Sequence, residues 1–324
     1  MNTVTPEPLP TDALEALRSE VRLVMSEEGI TQADIAKEAG IAYGTFTPWM
    51  GGTYKGDNAG IGAKVSRWLE TRRERKRTAA VLPKAPEFLV TPTAEAITSI
   101  LSYSQMAPDF GVIVGGAGIG KTSAIEQYQR RHPNVYVVTG EPCMSSPNNL
   151  LLAIAEAMGV IERSANKLSR AIVARLKNTG ALIIIDEAQH LGSAALDQLR
   201  TLHDLSQCGV AVAGNESVMA RLQGGEARGA QFAQLYSRVG MRMTQAKSRA
   251  KDICAIVGAW GIETSSKEAE LLKTIGRKPG ALRSLTKTIR LASMLASGAG
   301  EEFSVKHIRQ AWSQLSSSSL DEAA

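Results

Sequence analysis

Cysteine is scarce in this chain: Cys143, Cys208 and Cys254 stand far apart and never form a C-x-x-C pair. A disulfide framework and a thiolate zinc site are excluded, and free thiols in a reducing compartment are expected. The four histidines, His132, His190, His203 and His307, are equally dispersed and lack metal-ligand spacing. No apolar run approaches the roughly 18 residues of a membrane span, and Pro6, Pro8, Pro10 and Asp12 stand where a signal peptide needs an apolar core. A cytoplasmic protein without a membrane partner is expected. Aromatic residues supply only 5% of the chain, so Ala, Gly, Leu and Ile must fill its core. There is no acidic excess either; the formal net charge is +5, unevenly spread. At 324 residues the chain should divide into more than one domain.

What is abundant is glycine in one place. Gly115-Gly116-Ala117-Gly118-Ile119-Gly120-Lys121-Thr122 is a complete G-x-x-x-x-G-K-T, preceded by the apolar run Phe110–Val114 and followed by a helical pattern from Ser123 to Arg131. A strand, a glycine loop and a helix in that order form a P-loop. Its amides cradle phosphates, Lys121 reaches the β- and γ-phosphates, and the Thr122 hydroxyl can ligate Mg²⁺. ATP and Mg²⁺ are therefore expected, held by residues 115–123. A second apolar run, Ala181 to Ile185, ends in Asp186-Glu187. Asp186 at the carboxyl end of a buried parallel strand can hold Mg²⁺ through water, and Glu187 can polarise the attacking water. A third run, Gly209 to Gly214, ends in Asn215, an amide placed to orient that water.

The order P-loop strand, acidic strand and Asn-terminated strand resembles the AAA+ class of ATPases. The resemblance implies an α/β fold with a central parallel sheet and a C-terminal helical lid. It makes Asn215 the first sensor. It makes Arg238 an arginine finger acting on a neighbouring subunit, with Arg221 and Arg228 as alternatives. Arg283, in Lys278-Pro-Gly-Ala-Leu-Arg283, becomes the second sensor.

Upstream, Leu14, Leu17, Val21, Val24 and Met25 recur at helical spacing up to about Glu28, and Gly29 stops that helix. Thr31-Gln-Ala-Asp34 reads as a capping box, and residues 31–50 as a helix-turn-helix, with Pro48 expected to kink or shorten its second helix. Between Arg67 and Arg77 six basic residues oppose two acidic ones, which beside such a motif suggests phosphate neutralisation. Lys55, Arg72, Arg73, Lys167, Arg170 and Arg175 are the candidate DNA contacts; Arg163 and Lys177 belong to the same basic set as the last three. Between Leu271 and Gly300 six basic residues, Lys287 and Arg290 among them, meet no acidic one, which suits a polyanion or an acidic partner. The expected division is a helix-turn-helix domain at 11–77, a Pro-containing linker at 78–92, an ATPase core at 93–245 and a lid at 246–316, the lid with helices near 250–260, 266–276, 280–297 and 305–315.

That order of parts is similar to the Mu B family of transposition ATPases from Mu-type transposing phages. The segments that carry the likeness are Lys55-Gly-Asp-Asn58, Arg67-Trp-Leu-Glu70, Gly118-Ile-Gly-Lys-Thr122, Ile184-Ile-Asp-Glu-Ala188, His190-Leu-Gly192, Phe232-Ala, Ser237-Arg238 and Lys278-Pro-Gly-Ala-Leu-Arg283. The family implies ATP-driven assembly of a helical homo-oligomeric filament on double-stranded DNA with little sequence preference. It further implies delivery of that DNA to a transposase and release on hydrolysis, in a bacterial host's cytoplasm. A helix-turn-helix regulator reading a specific operator, and related ATPases of other transposons or secretion systems, are the competing expectations.

Overall fold

The computed structural model describes residues 11–81, 88–162, 164–218 and 237–316. Arg163, Arg221, Arg228, Phe232, Pro83 and Pro86 lie outside the described residues, as do the first ten. The chain forms two units, Met1–Pro83 and Lys84–Ala324.

The described residues of the first unit form four helices: α1 (Thr11–Glu28), α2 (Gln32–Glu38), α3 (Tyr43–Met50) and α4 (Asn58–Val81). The capping box forms as expected, with Asp34 N–H donating to Thr31 Oγ1 (3.3 Å) and Thr31 N–H to Asp34 Oδ2 (3.1 Å). Ile35, Phe46, Trp49, Val21 and Val65 close a core in which the two aromatic rings stack at 6.1 Å. Each such fully buried side chain contributes about 1.5–3 kcal/mol. Pro48 lies inside α3 without ending it. The carbonyl its missing N–H leaves unpaired is that of Gly44, which is exposed, so water can satisfy it. α4 runs to Val81, past the boundary expected at residue 77.

The second unit is a three-layer α/β structure. A five-stranded parallel sheet has the order β2–β3–β4–β1–β5, from β1 (Phe110–Gly115), β2 (Val135–Thr139), β3 (Leu182–Asp186), β4 (Gly209–Gly214) and β5 (Val239–Gln245). Strict alternation assigns the faces. Ile113, Leu182, Ile184, Ala211 and Ala213 pack on α5 (Pro92–Met106) and α6 (Lys121–Arg131). Val112, Val114, Ile183, Ile185 and Val212 pack on α7 (Pro147–Met158), α8 (Ala165–Leu176) and α9 (Ser193–Ser206). Because β1, β3 and β4 are covered on both faces, their sequences are continuously apolar. The lid is four helices, α10 (Ala250–Ala259), α11 (Lys267–Arg277), α12 (Ala281–Ala299) and α13 (Val305–Leu315), around Val257, Leu272, Leu285, Ile289 and Trp312. The expected linker is cut back from this side too: Pro92 opens α5, and Phe88 packs against the α5–α6 core. Among the described residues no helix is long and apolar enough to cross a membrane.

Candidate nucleotide site

Parallel strands present their carboxyl ends at one edge, and here that edge collects the P-loop after β1, Asp186 at the end of β3 and Asn215 after β4. The loop needs its glycines for backbone reasons. Gly118 and Gly120 have φ of 82° and 100°, the left-handed region, and a Cβ on Gly116 would collide with the Ala246 carbonyl. Ile119 is buried and anchors the loop beneath Gly115. Lys121 opens α6, and its buried Nζ donates to the carbonyls of Gly115 (2.8 Å) and Gly116 (3.1 Å). Burial pushes the Lys121 ammonium below its ordinary pKa; Asp186 and Glu187 pull it back up, while Arg283 adds to the depression. A phosphate in the loop would relieve both costs.

Thr122 Oγ1 donates to Asp186 Oδ2 at 2.6 Å, and Asp186 Oδ1 accepts from the Glu187 N–H at 2.9 Å. A hydroxyl and a buried carboxylate oxygen beside a phosphate loop are the hard oxygen donors that Mg²⁺ takes, so the residues present fit that ion. Glu187 sits at φ 53° and lines the same cavity as the P-loop, a pocket of about 450 Å³, within the range of small-molecule sites. Ala117 to Ser123 line it as well.

The lid closes the other side. Leu282 N–H donates to the Gly118 carbonyl at 3.1 Å, and a Cβ on Gly118 would strike the Gly280 carbonyl. Ala281 holds φ 48°, a left-handed turn costing about 1–2 kcal/mol for a residue with a Cβ. That turn brings Arg283 into the pocket, with Lys287 and Arg290 one and two turns later on the same face of α12. Lys287 and Arg290 belong with Arg283 to the basic run expected to meet a polyanion or an acidic partner, and their helical register with Arg283 sets them along the pocket. Phe88, Leu89, Ile256 and Trp260, unremarked in the sequence, make the apolar end of the pocket.

The remaining expected residues divide. Asn215 is exposed, and its side-chain oxygen accepts from the N–H (3.0 Å) and hydroxyl (2.7 Å) of Ser217 in its own turn. Arg238 precedes β5 at the amino end of the sheet, where its carbonyl accepts from the Phe110 N–H (2.9 Å) and its guanidinium holds both Asp204 oxygens (2.7 and 2.9 Å). It is therefore a strand length, about 17 Å, from its own P-loop. Lys167, Arg170 and Arg175 are exposed on α8, and none has an ion pair among the described residues. Lys55 is exposed in the loop before α4.

Arg72 and Arg73, the other candidate DNA contacts, stand in ion pairs within their own helical unit. Arg72 pairs with Glu28 and Glu38 and lies 5.2 Å over the Trp68 ring, and Arg73 pairs with Glu20. Lys76 joins Glu28 at 2.6 Å. Their charge is taken up within the helical unit, by carboxylates that are remote in sequence.

Comparison with known proteins agrees with this architecture. The AAA domain family matches residues 105–222, and the family described as Mu B transposition protein, C terminal, matches residues 237–315. The ATP-dependent target DNA activator B of Escherichia phage Mu is 36% identical over 301 residues, 92% of this chain and 95% of that protein. Its counterpart in Escherichia phage D108 matches to the same extent. The Mu-like prophage FluMu DNA transposition protein B of Haemophilus influenzae is 35% identical over 82% of this chain and 92% of its own length. Among solved structures, a point mutant of RuvB from Thermotoga maritima aligns at TM-score 0.48 with 16% identity, covering 71% of this chain and 73% of that one. With more than a third of its residues shared along nine-tenths of its length, and an AAA domain at its centre, the chain belongs to the Mu B family of DNA transposition proteins.

Proposed function

We propose that this protein is an ATP-dependent activator of target DNA in transposition. It binds double-stranded DNA with little sequence preference, assembles on it as a filament in the ATP state, and hands it to a transposase, with hydrolysis controlling release. The observation that carries the reading is the tie between a hydrolytic site and the lid. Lys121, Thr122 and Glu187 share one pocket with Arg283 of the segment matching the Mu B C terminus, and Asp186 accepts from the Thr122 hydroxyl. ATP is the substrate: the P-loop amides and Lys121 hold its phosphates, and Glu187 takes a proton from the attacking water. Mg²⁺ held by Thr122 and Asp186 would offset charge on the β- and γ-phosphates. Binding energy spent closing Arg283 onto the nucleotide changes how the lid sits on the core, which links nucleotide state to assembly.

Free basic side chains on α8 suit a phosphate backbone, which is read without base contacts. The exposed face of α3 presents Tyr43, Gly44 and Thr47 after the exposed N-cap Ala42, with no Arg, Lys, Asn or Gln to read base edges, so an operator-specific regulator is disfavoured. The test is binding to random-sequence duplex with ATP, ADP or no nucleotide across a salt series, with electron microscopy of the same samples. ATP-dependent, salt-steep filaments on any duplex are expected. Equal binding in all nucleotide states, or strong preference for one duplex, would overturn the reading.

A further inference from the structure

Gln189 lies two residues beyond Glu187, in the 3-10 turn Ala188–His190, and its side chain joins two strands' ends. Its Nε2 donates to the Glu187 carboxylate, and its Oε1 accepts from the backbone N–H of Asn215 at 3.3 Å, the residue that follows β4. The backbone donor at one end fixes which way round the amide sits, so the donor end must face Glu187. Gly214 leaves the space: a Cβ there would come 2.5 Å from Gln189 Oε1.

Among the described residues, the other hydrogen bonds of Glu187 run through its main chain. Its N–H is held by Asp186, and Gly140 packs so close to its carbonyl that a Cβ would lie 2.6 Å away. The side chain's freedom is what remains, and Gln189 takes up one of its two oxygens. We propose that Gln189 is a positioning residue for ATP hydrolysis, fixing the Glu187 carboxylate against the carboxyl end of β4 so that its second oxygen meets the attacking water. In that step the water oxygen bonds the γ-phosphorus and its proton passes to Glu187. The bond between the γ-phosphorus and the bridging oxygen breaks, its electron pair leaving on ADP. The aim of Glu187 thus follows the backbone of β4 through an amide.

The proposal rests on Glu187 acting as the base, so Glu187→Gln is the control. Steady-state hydrolysis by the full chain on random duplex is measured together with binding of a fluorescent ATP analogue. Gln189→Met keeps length and loses the donor; kcat should fall about 10- to 100-fold while KM for ATP stays within about twofold. Gln189→Glu keeps the acceptor for Asn215, and supplies a donor only while the carboxylate pair shares a proton. Its kcat relative to wild type should therefore be highest at acid pH and decline as pH rises, a dependence that loss of packing would not produce. Unchanged kcat in Gln189→Met, a loss falling on KM instead, or a pH-independent ratio for Gln189→Glu overturns the proposal. An active Glu187→Gln would instead remove the reading of Glu187 itself.

Discussion

Glu187 and Lys121 share a pocket yet should fail differently when replaced. Glu187→Gln preserves shape and leaves the P-loop, Lys121 and the Thr122–Asp186 pair untouched. Nucleotide affinity should be retained while turnover falls about 10²- to 10⁴-fold, the usual contribution of a positioned base. Single-turnover hydrolysis beside analogue binding separates the two quantities; normal turnover would remove Glu187 from the chemistry. These residues were legible in the sequence because each depends on its local context: a glycine loop between strand and helix, an acid at the end of an apolar run. Gln189 was not, because its second partner is 26 positions away and arrives only when β4 lies beside β3. The ion pairs of Arg72 were not legible either, since the carboxylates that meet it come from α1 and α2.

At the scale of elements, α4 is held to α1 by charge. The Arg72 guanidinium, and after it the Lys76 ammonium, hold the Glu28 carboxyl down to about 2 from an ordinary 4.5. A folded-state value below the unfolded one stabilises above the unfolded value and loses its effect as pH falls through the folded one. Destabilisation by Glu28→Gln should therefore be full above about pH 4.5 and shrink toward pH 2, seen as converging melting temperatures of wild type and variant. In the second unit a buried carboxylate joins lid to core: Asp252 of α10 accepts from the Thr93 N–H (3.0 Å), the Thr93 hydroxyl and the Arg249 N–H (3.2 Å). Gln245, at the end of β5, donates to the same Thr93 hydroxyl (2.9 Å), and its carbonyl accepts from the Gly116 N–H of the P-loop. Asp252→Ala strands these donors in the interior and should cost about 2–4 kcal/mol by chemical denaturation. α8 carries the opposite kind of charge, exposed and unspent. Replacing Lys167 and Arg170 by Ala should flatten the dependence of log K on log salt by about one unit per residue while leaving hydrolysis without DNA unchanged. An unaltered slope would move the DNA contact elsewhere.

The helices of the lid and the strands of the core fell close to their expected bounds because amphipathic spacing and double burial write themselves into a chain locally. Which basic groups remain free does not, and neither does any assembly of copies, which would depend on surfaces that face another chain. Arg238 is where that question becomes testable. It lies at the amino end of the sheet, opposite the P-loop, so it cannot reach the γ-phosphate of its own subunit. In the monomer Asp204 holds it on both oxygens, and Arg200 shares that carboxylate at 3.1 Å. A finger working in trans would have to leave this pair for a neighbour's phosphates, an exchange of one charge-assisted contact for another that a filament interface could supply. Arg238→Ala should then bind nucleotide normally and hydrolyse about 10³-fold more slowly or worse. Glu187→Gln, inactive for a different reason, still carries Arg238. In a head-to-tail assembly of the two variants mixed equally, about a quarter of interfaces would join an intact Glu187 to an intact Arg238, and about a quarter of wild-type hydrolysis should return on DNA. Recovery that appears on mixing and vanishes on dilution below the assembly threshold assigns the arginine to the neighbour's site. If mixing restores nothing while filaments still form, Arg238 is a structural partner of Asp204 and another residue supplies the charge.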